Sequence, residues 1–458
     1  MAACSASSTG TTANATTPAS SPAVAVSSSA PGGAAPGDPN ASGAPGAPGN
    51  APGGASTAQY TPTGVYTLST GSESKAGVAY TAAEADQSAV LVSGTGSVTL
   101  TDATITTSGA SQSSDESSFY GLDAGVLAQS GGKVTLTGGT VTTKGNGANG
   151  VFAYGSGASV TVANATIKAT GQYAHGAMAS GGGAVSVTDT VISTAGANSG
   201  AIATDRGGGT ITVSGGSVTT SGQGSPAIYS TGAITATGGT YSATGSESAV
   251  IEGANSITLT DATLTSSKAD KWGVLIYQSM SGDASGTKGT FTMTGGSLAN
   301  TAATGPLFYV TNSTGVITLK DVDVTAAGGV LVKAATGSWG NSGSNGGTVV
   351  LTADGETLAG DLVSDSSSSI SATLRNGTTM TGSINSAALT LDATSVWNVT
   401  GDSQLTSLSD ASGISGTTIA NINGNGHTVT YDASLSANSA LGARTYSLAG
   451  GGQLTPKS

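Results

Sequence analysis

The stretch "VTLTDATITTSG", residues 98–109, returns as "VTLTGGTVTTKG" at 134–145, "VTVANATIKATG" at 160–171 and "ITVSGGSVTTSG" at 211–222. Within it Val98, Leu100 and Ile105 point one way and Thr99, Thr101, Thr104 and Thr106 the other, the period of two expected of strands with one buried face. Asp-Ala, Gly-Gly or Asn-Ala between the two halves reads as a corner, because Gly and Asx residues tolerate the backbone of a sharp bend. Segments of this kind begin at residues 98, 134, 160, 185, 211, 234, 257, 291, 317 and 349, so the unit is 23–26 residues long with occasional insertions.

Each unit carries a second recurring piece, such as "SAVLVS", "GVLAQS", "GVFAYG" and "GAMASG". Aligning these pieces gives a column of bulky residues, Leu91, Leu127, Phe152, Met178, Ile202, Ile228, Ile251, Leu275, Phe308 and Leu331, read as inward. The residue after each varies from Ala to Tyr229 to Glu252 and is read as outward. Three short strands per unit cannot stand alone, but stacked coil on coil each pairs with its own copy and the inward columns fuse into one core. The expected fold is an all-β, right-handed parallel β-helix of the pectin-lyase-like kind, with the handedness taken by analogy. Ten coils at about 4.8 Å each make a rod on the order of 50 Å. A sandwich would not place one column residue every 23–26 positions, and a propeller blade needs roughly 40 residues or more.

The chain has 458 residues, of which 8% are charged against roughly 25% in an average soluble protein, so hydroxyls carry much of its polarity. The net charge of −12 is spread thinly and no Lys/Arg cluster could track phosphates, which sets nucleic acid aside. No run of about 18 apolar residues is present to span a membrane as a helix. One cysteine, Cys4, allows no internal disulfide, and His175 and His427 stand far apart without acidic neighbours. The calcium-binding nonapeptide of other β-rolls is absent, so no metal and no cofactor are expected.

Residues 1–57 are rich in Ala, Ser, Gly and Pro, hold few groups able to bury apolar surface, and read as a disordered tether. Residues 58–87, with Tyr60, Tyr66 and Tyr80, read as an N-terminal cap, 88–365 as regular coils, and 366–458 as less regular coils and a C-terminal cap. In that last part "TLRNGTTMTGSI" followed by "LTLDATSVWNVTGDSQLTSL" resembles the C-terminal coils of autotransporter passenger domains of the pertactin and AIDA type, with Trp397 as a packed core or cap residue. Such proteins carry a translocator barrel for which no sequence follows "LTPKS". The start "MAACS" resembles the end of a bacterial lipoprotein signal, which implies lipid attachment at Cys4 and an outer-membrane anchor. The charged and apolar regions that belong before such a cysteine are not in the sequence.

β-Helix polysaccharide lyases and hydrolases need clustered carboxylates on one face. Here Asp102, Asp189, Asp261 and Asp321 fall at corners and read as turn formers, Asp321 and Asp323 find no third partner, and Asp205-Arg206 reads as a solvated pair. The chain is therefore expected not to be an enzyme. Outward Thr-x-Thr rows raise ice binding, which interruptions at Lys168, Ser186, Ala236 and Lys320 and varying coil lengths argue against. The repeat is most altered after Leu275 and Leu331, where insertions hold or adjoin Tyr277, Tyr309 and Trp339, with Trp272 just upstream. Loops leaving one side of a solenoid are where recognition sits. Those four aromatics are the candidate ligand contacts, as exposed platforms for a glycan or a surface protein. The expected function is that of a bacterial cell-surface or secreted adhesin or matrix-interaction protein. A carbohydrate-active enzyme and a self-associating surface-layer component are the alternatives.

Overall fold

The computed structural model describes residues 61–457. The alternating pattern read from residue 98 onward builds a parallel β-helix of about 16 turns, consistent with the right-handed form. Each coil contributes to three sheets. Sheet 1 contains strands such as Val126–Gln129 and Val151–Tyr154, sheet 2 strands such as Lys133–Thr137 and Ser159–Ala163, and sheet 3 strands such as Thr140–Thr143 and Thr166–Ala169. Through the regular coils each strand pairs in parallel with its copy one coil away, for example Leu136 with Val162 and Val141 with Ile167. At about 4.8 Å per coil, 16 turns give a rod on the order of 75 Å, longer than the ten recurring segments suggest. The extra coils lie at the two ends, where the recurring segment has lost its Thr-rich wording.

At the corner between sheets 2 and 3 the first residue adopts positive φ in coil after coil: Asp102 at 50°, Asn164 at 54°, Asp189 at 43°, Asp261 at 51° and Asp321 at 56°, with glycine in the coils between. The turn-former reading of these aspartates holds. A Cβ on Gly138, Gly215 or Gly295 would lie 2.2 Å from Oδ1 of Asp102, Asp189 or Asp261 on the neighbouring coil. Each of these carboxylates thus occupies the space its glycine leaves, which keeps like charges from stacking directly.

Sheets 2 and 3 follow the alternation closely, with Val98, Leu100 and Ile105 buried and Thr99, Thr101 and Thr104 exposed. Sheet 1 corrects the inward column. Its strands are buried on both faces, as in Val151–Tyr154 and Val274–Tyr277. Leu91, Leu127, Phe152, Met178 and Leu275 do not join the main core; they form a second cluster on the outer face, while Val90, Val92, Val126, Ala128, Val151 and Ala153 point inward. Ile202, Ile228, Ile251 and Phe308 are inward as expected. The alignment therefore slipped between two registers, because a strand covered on both sides has no polar face to mark its alternation.

The described part of the expected N-terminal cap is itself a coil: Thr63–Leu68, Ser72–Ala76 and Ala79–Ala82 pair in parallel with the three strands of the next. Tyr66 and Tyr80, with ring centroids 5.1 Å apart, pack partly buried against the end of the core. Towards the C-terminus the coils simplify. Strand Ile384–Leu391 pairs with both Asp361–Ser364 and Ser369–Arg375, so the corner between sheets 1 and 2 disappears. Trp397 is fully buried and its Nε1 donates to the Gly382 carbonyl at 2.9 Å, the packed role expected of it. Strands Tyr446–Ala449 and Gln453–Pro456 then pair antiparallel and close the last coil. The proposed tether and lipid-attachment residue Cys4 lie outside the described residues.

Candidate functional site

Three insertions fold onto the outer face of sheet 1, and this is what buries it. The first, between strands Thr104–Thr107 and Val126–Gln129, carries the helix Ser114–Tyr120. Ser113 caps this helix by accepting from the Glu116 amide at 3.2 Å, and Gly121 ends it in the left-handed region at φ 79°. Gly121 sits so close to the Leu127 and Phe152 side chains that a Cβ would approach both to 2.8 Å. Ser180 Oγ donates to the Phe119 carbonyl, and the rings of Phe119, Tyr120 and Tyr154 form an edge-to-face row.

The second insertion follows strand Val274–Tyr277 and is fastened through charge. The Arg206 guanidinium lies 3.8 Å over the Phe119 ring and donates to Asp283 Oδ1 from Nη2 at 2.9 Å and from Nε at 3.2 Å. Beside it Glu252 is fully buried. Its Oε2 accepts from the hydroxyls of Tyr229 and Tyr277, the latter at 2.8 Å, and its Oε1 from those of Ser279 and Ser281. Ser281 continues to Asp283 at 2.9 Å, which closes the network. A buried carboxylate is tolerable when its lone pairs are met by donors in this way. Burial, with the Glu252 charge added, pushes both tyrosine hydroxyls well above their ordinary pKa of 10. Asp205 is also buried, and burial pushes its carboxyl up to about 7, with Asp283 and Glu252 adding to the rise. The solvated Asp205-Arg206 pair expected from the sequence is thus corrected: Asp205 is covered, and Arg206 pairs with a loop 77 residues away.

The third insertion, after strand Val330–Ala334, brings the four candidate aromatics together. Trp272 and Tyr309 stack with centroids 4.4 Å apart, Trp339 packs 4.6 Å from Tyr277, and Trp272 meets Trp339 edge-on at 6.5 Å. Tyr309 OH donates to the Thr336 carbonyl, and Asn345 Nδ2 to the carbonyls of Gly337 and Trp339. Asn312 ties this loop to the second, donating to the Gln278 carbonyl at 2.7 Å and lying against Gly340. The expectation of exposed platforms is corrected: Trp272, Tyr277, Tyr309 and Trp339 are only 6%, 2%, 5% and 6% exposed. They share one side of the rod, as their spacing implied, but they cover one another. What faces solvent is Met280, at 42%, and the polar tip Asn341–Ser344.

Sequence reasoning missed Arg206, Glu252 and Asp283. For Arg206 and Glu252 a signal was available: in a chain with 8% charged residues, charges placed at or next to a strand otherwise built of small and apolar residues are out of keeping with their surroundings, whereas Asp283 lies in mid-loop and carries no such mark. No protein-family model, curated protein or solved structure matches the chain.

Proposed function

We propose that this chain is a bacterial surface or secreted rod that works by contact, as an adhesin or matrix-interaction protein. The observation that carries this reading is the anchoring of three insertions on one face. Their undersides are packed aromatics and buried hydrogen bonds, which hold their outer surfaces in place and lower the ordering cost of binding. Trp272, Tyr277, Tyr309 and Trp339 serve as the footing of the site, and the tips around Met280 and Asn341–Ser344 meet the ligand. Uncharged Asn and Ser side chains suit hydroxyl-rich glycans or polar protein surfaces. Single contacts are weak, and many rods on one surface multiply them. Passenger-like descent and a lipid on Cys4 would hold such a rod at the envelope.

The gathering of Asp205, Glu252 and Asp283 beside Arg206 favours a second reading, a carbohydrate-active enzyme. All three carboxylates are covered and already engaged, which supports a structural use of this cluster.

Affinity electrophoresis through gels of bacterial, plant and host polysaccharides, with a parallel panel of immobilised matrix proteins, tests the proposal. Retention that is lost in Asn341→Glu/Ser344→Glu and kept in a Lys substitution on sheet 3 is the expected result. New reducing ends would establish the enzyme instead. Binding to nothing in either panel, together with concentration-dependent growth in light-scattering mass, would point to a surface-layer component.

A further inference from the structure

Sheet 2 shows on its outer side an order that the linear sequence conceals. Its pairing runs from Ser97–Thr101 to Ser369–Arg375, across eleven coils, without a register shift. The middle outward position is threonine in every one of these coils from Thr99 to Thr373, except at Ser186. The rank two residues further on, Thr101 to Thr294, contains only Thr, Ser and Ala. Two of the four interruptions met in the sequence vanish: Lys168 belongs to sheet 3, and Ala236 points into the core with no exposure. Variation in coil length does not disturb this face either: two of the insertions enter sheet 2 strands directly, yet they fold back onto sheet 1 and the pairing of sheet 2 stays in register past them.

We propose that the outward face of sheet 2 binds ice. Threonines stand about 4.8 Å apart along the rod and about 6.7 Å apart along each strand, a regular two-dimensional grid held in register. Each site presents a methyl that orders first-shell water and a hydroxyl that joins it. Among the described residues no protein hydrogen bond occupies the middle-rank hydroxyls, so their donors and acceptors are left to water. From Ser159 to Thr294 the three outward ranks carry no charge to disturb a lattice. They also carry no aromatic ring of the sort that stacks on crystalline polysaccharide. Strand propensity alone does not account for the pattern, because sheet 3 shares that propensity and yet places Lys168, Val191, Ala299 and Asp323 outward.

The test is partition of the full chain into slowly grown polycrystalline ice, with recrystallisation inhibition measured alongside. Thr212→Lys/Thr235→Lys and Thr212→Tyr/Thr235→Tyr alter the centre of the face; Ser193→Lys/Thr219→Lys alters sheet 3 as the control. Wild type and control should be enriched in the ice fraction and slow grain growth. Both sheet 2 pairs should fall to the level of an unrelated non-binding protein, with an unchanged β-sheet circular dichroism spectrum. Exclusion of wild type from ice overturns the proposal, as does undiminished enrichment of a folded sheet 2 pair. Retention of wild type on insoluble chitin or cellulose with exclusion from ice would assign the face to a polysaccharide and likewise overturn it.

Discussion

Replacing Trp339 by alanine removes the keystone of the third insertion. The ring is 94% covered, lies 4.6 Å from Tyr277 and 6.5 Å from Trp272, and nothing else described in its loop fills the same space. A buried Trp→Ala change costs about 3–5 kcal/mol, of which each lost ring pair supplies about 0.5–1.5. Coils in a solenoid communicate with their neighbours, so the loss should stay local. At about 1.4 kcal/mol per tenfold, about 4 kcal/mol corresponds to roughly a thousandfold rise in the opening of this loop. Amide hydrogen exchange measured by mass spectrometry over residues 336–347 should accelerate accordingly, and protease should cut first in Asn341–Ser344. Strand Val151–Tyr154 should exchange as in wild type. Protection of the loop within tenfold of wild type, or cooperative loss of protection along the whole rod, would refute the assignment of this ring as a local anchor.

Arg206→Ala should release the second insertion by about 1 kcal/mol, a value kept low because the arginine side chain is 48% exposed and screened; a double-mutant cycle with Asp283→Asn in low and high salt measures the coupling, which should weaken with salt. Burial raises Asp205 and Glu356 to about 7 and Asp123 to about 6, so the native state holds protons that the unfolded chain releases near pH 4. Their contribution to stability is full below pH 4 and is lost as pH rises to about 7; thermal melts should therefore show a higher midpoint at pH 5 than at pH 8, the difference shrinking in Asp205→Asn/Glu356→Gln. Gly215→Ala puts a side chain at φ 67° with its Cβ 2.2 Å from Asp189 Oδ1; about 1–2 kcal/mol of backbone strain plus the clash should lower the melting midpoint, whereas Ala at Gly401, nearest contact 3.7 Å, should not.

The coil, its corners and two of its three sheets were legible because each strand there has one wet face: Thr99 against Val98 and Leu100 states the register outright. Sheet 1 was legible as a strand but not in its orientation, since Phe152 on the outer face and Val151 and Ala153 on the inner are all buried. The insertion side was foreseen from broken spacing and rare aromatics, and the four chosen rings do meet. Their burial was not foreseen, because it depends on loops folding back over them. The contact of Arg206 with Asp283 joins residues far apart in the chain, and no local pattern announces such a pair.

That contact also changes what kind of material the rod is. Strands Ile202–Thr204 and Val274–Tyr277 are three coils apart, yet the Arg206–Asp283 pair spans them, and Phe119 and Asn312 extend the tie in both directions. A plain stack of coils bends equally on every side and peels one turn at a time under load. With a continuous brace along one flank, the rod is stiff against bending towards the opposite side, which would stretch that brace. Pulled along its axis, it should surrender the braced coils as a group, in one large step in place of several small ones.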